Sequence, residues 1–410
     1  GGAPGVLLWI TRSPKRTSSI AAGRREGMLS RRVIVCVVLL AGLDLATTLR
    51  SPSPVVLPDQ AAAATRSASP LRGLRLAGGC AQAPGNGRRR NVLPVSMAST
   101  ATNPVGQTPQ RFAVPVWEGV LGYVNLWPTK QIVLNECVGR EKEGRPWAEG
   151  ENCISVEMRK RVTSMYGQHI TADGASVDYS GLGASDAFKE YCEVARELNG
   201  VDVGAMPQDE KTAFFINTYN SLIVHAITQL GPPSDLLSRL RLYATASYRI
   251  GGNVYSLNDI ENGVLRGNRR APTPLAKLPF GSEDPRAAVA CSSPDPRMHF
   301  ALNCGAKGCP VIRFYKTETL DKDLDRATRA FCKGVEVEGD TGKVHLSQIF
   351  KWYKDDFAPR GPGQDEALLR FVASYVDGET KEQLESALAA GTAKPHFDPY
   401  DWDLNRKKPE

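Results

Sequence analysis

Apolar residues in this chain recur mostly at helical spacing. The longest such run is "PQDEKTAFFINTYNSLIVHAITQLG", where Phe215, Ile216, Tyr219, Leu222, Ile223, Ala226 and Ile227 make one wide stripe. An acidic start after Pro207 and a stop at Gly231 before two prolines predict a largely buried helix. "ISVEMRKRVTSMYGQHI", "SDAFKEYCEVAREL" with Ser185 or Asp186 as N-cap, "LDKDLDRATRAFCKG", "IFKWYKDDF" capped by Ser347, Asp365 to Val376 and Thr380 to Ala390 also read as helices. "YRIGGNVYSL" and "VEVEGDTGKVHLS" read as hairpins. In "SLNDIENGVLRG" the spacing of Ser256 and Asp259 suits a capping box opening a short helix. "RMHFALN" alternates like a strand, which would put His299, Ala301 and Asn303 on one face. Strands do not alternate one-for-one with helices. The expected fold is therefore α+β, a single helix-rich domain with short antiparallel strands and hairpins.

Composition divides the 410 residues. Residues 1–111 hold 15 Lys/Arg against 3 Asp/Glu, whereas the remainder holds 36 against 41. The overall charge of +7 thus belongs to the leader, and a mildly acidic body argues against nucleic-acid binding. "MLSRRVIVCVVLLAGLDLA" has the two-arginine n-region and short apolar run of a secretory signal, spanning 28–48. Residues 47–102, rich in Ala, Ser, Pro and Arg, are composed like a transit peptide. Together they resemble the two-part leader that directs proteins to complex plastids, the alternatives being secretion or a basic tail on a cytosolic protein. The apolar run is too short to span a bilayer, which takes about 20 residues, so no stable membrane insertion of the mature protein is expected. The expected organisation is a disordered leader over 1–111, an N-terminal extension over 112–176 with a Gly/Glu-rich break from Gly139 to Asn152, and a main domain over 177–405.

Nine cysteines, seven of them in the body at irregular spacing, do not make a disulfide framework, and most are read as reduced and buried. The chemically suggestive stretch is "HFALNCGAKGCP". On a strand, His299 would lie roughly 16 Å from Cys304, too far for a thiol–imidazole pair. Gly305 and Gly308 would let Cys309 fold back and leave backbone N–H groups free to meet an anion or oxyanion. A thiolate nucleophile, Cys309 or Cys304, would use His299 as base or orienter and Asn217 and Asn220 as amide donors. Against this, His299 suits a core histidine, the cysteines suit buried residues or a small disulfide, and Asn217 and Asn220 suit loop ties. A metal clip of His299, Cys304 and Cys309 lacks a fourth ligand and the usual spacing, so no metal or cofactor is expected there. Asp259, Glu261 and Arg266 suit either a binding site or a capped helix with a salt bridge. His225, His345 and His396 are read as structural or exposed.

The pieces "VDYSGL", "KTAFFINTYNSLIVHA", "YSLNDIENGVLRGNRR", "DPRMHFALNCGAKGCP", "LSQIFKWYKDDF" and "YDWDLN", in that order over Val177 to Asn405, resemble domain of unknown function 547, a plant, algal and bacterial family called ternary-complex-factor leucine-zipper-like in plants. The resemblance implies that Asn217, Asn220, Asp259, Glu261, Arg266, His299, Cys304, Cys309 and Pro310 fall on the family's motif positions. It implies no reaction. Relatives carry coiled-coil, DEP or glutaredoxin-like neighbours, whereas this chain shows neither a heptad run nor a C-x-x-C pair. Two readings follow: a thiol-dependent hydrolase or acyl/amide transferase, or a non-catalytic module binding a small molecule or a protein.

Overall fold

The computed structural model describes residues 121–123, 129–136, 154–273 and 275–407. The leader, the Gly/Glu-rich break, Cys137 and Cys153 lie outside them. The helices are α1 (Ile154–His169), α2 (Tyr179–Ala184), α3 (Asp186–Ala195), α4 (Gln208–Leu230), α5 (Leu236–Thr245), α6 (Leu320–Cys332), α7 (Gln348–Trp352), α8 (Lys354–Phe357), α9 (Gln364–Ala373) and α10 (Gly378–Ala389). The strands are β1 (Ile132–Val133), β2 (Ala246–Ile250), β3 (Asn253–Ser256), β4 (Glu336–Glu338), β5 (Lys343–Ser347) and β6 (Lys394–Asp398). Long helices beside two small sheets make this an α+β fold.

Helix α4 is the centre. Asp209 and Glu210 sit in its first turn, where the helix dipole favours acids, and Gly231 ends it at φ 89°. Burial extends past the predicted stripe to Phe214, Asn220, Val224 and His225. A helix apolar on most sides belongs in the middle of a core. The first sheet, in the order β1-β2-β3, packs on it; β2 and β3 form the predicted hairpin, turning at Gly251 and Gly252. The second sheet, in the order β4-β5-β6, contains the other predicted hairpin. Both sheets are mixed rather than wholly antiparallel, because β1 joins β2 and β6 joins β5 in parallel. Those strands come from far apart in the chain, so no local pattern announces the pairing.

"RMHFALN" is not a strand. Pro296–Phe300 is a 3-10 turn capped by Asp295, whose carboxylate accepts from the Arg297 amide. Proline at the first helical position and an Asp cap outweigh an alternation only seven residues long. His299 and Asn303 therefore do not share a strand face. "SLNDIENGVLRG" does form the capping box: Ser256 N and Oγ donate to Asp259 Oδ2, and Asp259 N donates to Ser256 Oγ. The turn it opens is a π-helix, Asp259–Leu265, closed by Arg266 N donating to Glu261 O over 2.9 Å.

Candidate functional site: a buried ion cluster beside a disulfide corner

The π-helical turn points Glu261, Asn262 and Arg266 toward the 3-10 turn and the junction of α7 and α8. Arg266 forks onto Asp356, with Nε 2.6 Å from Oδ2 and Nη2 3.1 Å from Oδ1. His299 Nε2 donates to Asp356 Oδ2 over 2.9 Å, and Arg269 adds a 2.8 Å bond to Oδ1. The Tyr353 ring stacks on His299 with centroids 3.8 Å apart, and the Arg266 guanidinium lies 5.1 Å from the same ring. Glu261 accepts hydrogen bonds from Tyr353 and, over 3.2 Å, from Tyr219.

Burial and charge act together here. Burial alone would raise the Asp356 carboxyl, but hydrogen bonds from His299 and Arg266 hold it well below the usual carboxylate range. Burial pushes His299 down against the pull of Asp356, so the imidazole stays neutral with its proton on Nε2. Burial, then the nearby Glu261 charge, push the Tyr219 and Tyr353 phenols well above their ordinary value. The Tyr219 and Tyr353 phenols and the His299 imidazole are thus held neutral around a charged Asp356.

Cys304 and Cys309 form a disulfide, with Cα atoms 6.2 Å apart. The glycines do let the loop fold back, but onto Cys304. Gly305 sits at φ 81°, and a Cβ there would lie 2.5 Å from Ile227 Cδ1. At Gly308 a Cβ would lie 2.9 Å from the Tyr400 ring. The loop amides expected to be free are engaged: Gly305 N donates to Asn303 Oδ1, Lys307 N to Asp403 O, Gly308 N to Asp401 O and Cys309 N to Ala306 O. Cys309 Sγ also lies 3.0 Å from Cys304 N and 3.2 Å from Tyr400 Oη.

The asparagines are clasps. Asn217 donates to Tyr315 O and accepts from Tyr315 N at 2.7 and 2.9 Å. Asn220, fully buried, bonds Ala301 O at 2.8 Å and Asn303 N at 2.9 Å. Asn303 passes the tie on to Pro310 O over 2.7 Å. Asp259 pairs with Arg286 at 3.1 Å; burial raises its carboxyl while Arg286 and Ser256 oppose that rise. The structure thus brings Glu261, Arg266 and His299 together, and Cys304 with Cys309. The contacts of His299 are Asp356, Tyr353 and Phe357, neither cysteine among them.

The cysteine that does approach a histidine is Cys192, 3.7 Å from His225 Nε2. Burial pushes its thiol up to about 12 and the His225 imidazole down to about 4, so the pair is neutral and not a thiolate–imidazolium pair. Cys291 and Cys332 are free and buried.

Residues 203–332 match the family model described as "Protein of unknown function, DUF547". Over that span the chain is similar to this family. No curated protein and no solved structure matches the chain. The matched span supplies Glu261, Arg266, His299 and both disulfide cysteines. Asp356, Tyr353 and Tyr400, which complete the cluster and the corner, lie C-terminal to it. They sit in the motifs "KWYKDDF" and "YDWDLN", to which the sequence alone assigns no role. A buried arginine and histidine on nearby motifs called for a shared carboxylate, and Asp355 or Asp356 was the signal available.

Proposed function

We propose that the chain is a non-catalytic binding module, and that its ligand lies on the aromatic face beside the disulfide corner. One observation carries this reading. The groups a thiol enzyme would use are engaged within the fold: the two sulfurs with each other, the loop amides with Asp401, Asp403, Asn303 and Ala306, and both asparagines with backbone. Next to them Trp352, Tyr400 and Trp402, all half-buried, make mutual ring contacts with centroids 4.7–5.4 Å apart. Arg239 lies over Trp402, 5.6 Å from its centroid; beside the rings in sequence Asp401 is exposed, and exposed Asp403 is paired with Lys307 at 2.8 Å. Partly exposed aromatic rings with nearby carboxylates suit a cationic or planar side chain of a peptide.

The test is fluorescence polarisation of a labelled arginine-rich peptide against the full chain and its Trp402→Ala variant. Binding should weaken about tenfold or more in the variant, as loss of an aromatic anchor does. Equal binding by both, or none by either, ends the reading.

A second reading is favoured by the hydrogen bonds at Cys309 Sγ. After reduction, the Cys304 amide and the Tyr400 hydroxyl would hold a Cys309 thiolate, leaving it as the nucleophile of a hydrolase or acyl/amide transferase. Fast, single-site iodoacetamide labelling of Cys309 in the reduced, folded chain would favour this reading over the first.

Plastid targeting by the leader is likewise proposed. A fluorescent protein fused behind residues 28–111 should reach the plastid, and retention in the cytosol would remove the proposal.

A further inference from the structure

The outer face of the second sheet carries a separate cluster. In the parallel pairing of β5 with β6, His345 is the register partner of His396, and Asp398 follows two residues along β6 on the same face. The imidazole rings meet edge to face with centroids 5.0 Å apart. His345 Nδ1 lies 2.9 Å from Asp398 Oδ1, and His396 Nε2 lies 3.6 Å from the same oxygen. The three donor atoms all fall within 4.8 Å of one another. Ligands on a tetrahedral ion with bonds of about 2.0–2.1 Å sit roughly 3.3–3.5 Å apart. The two distances to the carboxylate bracket that spacing, and the two imidazole nitrogens, within 4.8 Å of each other, would close toward it on binding.

Across the sheet, β4 supplies a further group. His345 Nε2 lies 2.8 Å from Glu338 Oε1. A metal-bound histidine characteristically gives its other N–H to a carboxylate, which fixes the ring and selects the ligating nitrogen. Here that nitrogen is Nδ1, the one facing Asp398.

We propose that His345, His396 and Asp398 bind a divalent transition-metal ion of the zinc type, with Glu338 as the residue that orients His345. Two imidazoles and one carboxylate suit zinc, cobalt or nickel better than calcium or magnesium, which prefer oxygen ligands. Half-exposure of His396 and Asp398 leaves the remaining coordination position open to water.

Both nitrogens of His345 face carboxylates, Nδ1 that of Asp398 at 2.9 Å and Nε2 that of Glu338 at 2.8 Å. A metal on Nδ1 leaves the Nε2 proton with Glu338. The other charged groups facing the site are Lys343, which pairs with Glu338 at 3.0 Å, Lys394, the register partner of Lys343, and Glu336, the register partner of His345 on β4. None of the three is among the proposed ligands.

The experiment is a titration of the metal-stripped full chain with cobalt(II), read by its visible ligand-field absorption, and with zinc(II) by calorimetry. One ion per chain is expected. His396→Ala should lose the absorption and weaken zinc at least a hundredfold, and Glu338→Gln should weaken it about 10–100-fold. His169→Ala, remote from the cluster in the chain and in its contacts, should leave binding unchanged. Because the His396 side chain is half-exposed, its variant keeps the fold, and circular dichroism checks this. Zinc affinity unchanged in folded His396→Ala, or no ion held more tightly than about millimolar by the parent chain, overturns the proposal.

Discussion

His299 and Asp356 are joined through Nε2 and Oδ2 at 2.9 Å, and Arg266 grips the same carboxylate from the other side. The imidazole is thereby committed to the ion cluster, its ring stacked on Tyr353 and meeting the core aromatic Phe357 at a tilt. A histidine that looked like a partner for the loop cysteines is instead the neutral donor that helps bury an arginine–aspartate pair.

Asp356→Asn should destabilise the fold by about 3–5 kcal/mol, because it leaves the buried Arg266 guanidinium without its counter-charge. Urea unfolding of parent and variant measures the difference. A loss under about 1 kcal/mol would mean that water reaches the cluster and compensates.

Acid should weaken the protein before its surface carboxylates titrate. His225 is buried among Tyr191, Tyr248 and Gln229, and its pKa falls to about 4 from the ordinary 6.5. The unfolded chain gains this proton below 6.5 and the folded chain only near 4, so stability drops as pH falls through that window, on the order of 3 kcal/mol in all. Lowered His299 and Asp356 act with the same sign, the latter at lower pH. His345, whose pKa is raised, acts with the opposite sign and loses its contribution as pH rises. Unfolding from pH 7 to 4 should show a shallower slope for His225→Gln; an unchanged slope would assign the acid sensitivity elsewhere.

Reducing the Cys304–Cys309 bond should cost about 2 kcal/mol, the loop-entropy value for so short a ring. Thermal melts with and without a phosphine reductant, compared with Cys309→Ser, test this. If reductant leaves the parent melt unmoved, the bond contributes nothing in solution.

Gly305→Ala meets two obstacles, a positive φ of 81° and the side chain of Ile227 2.5 Å from the new methyl. A loss of about 2–4 kcal/mol is expected from strain plus overpacking. Ile227→Val removes the methyl in the way without changing the backbone, so the double variant should recover part of the loss and not all of it. A double-mutant cycle in which the two changes simply add would show that the packing contact is not real.

Most helices, both hairpins and the Ser256–Asp259 capping box could be read from the chain, because each rests on periodicity or caps a few residues apart. The 3-10 turn at His299 was misread because a seven-residue alternation carries less weight than Asp295 and Pro296 at its start. The parallel partnerships of β1 and β6 were invisible, since a parallel register joins segments that no local pattern relates. The site was legible in its members on α4, the π-helical turn and the loop, but not in how they connect. His299 to Asp356 spans 57 residues and Cys309 to Tyr400 spans 91, and the sequence had offered His299 a nearer thiol.

The segment after β6 threads between two older parts of the chain. Leu404 bridges to Ala306, Val177 N donates to Asn405 O over 2.8 Å, and Lys407 N returns a bond to Val177 O over 2.9 Å. The residues leading into α2 and those following Trp402 therefore run side by side, with the disulfide loop stitched along the same seam. The seam lies inside the fold rather than at its edge, because β1 and α1, which precede Val177, pack into the same sheet and core. Trimming the chain after Trp402 would therefore strip backbone bonds from Val177 and Gly305 together, loosening the entry to α2 and the disulfide loop in one cut.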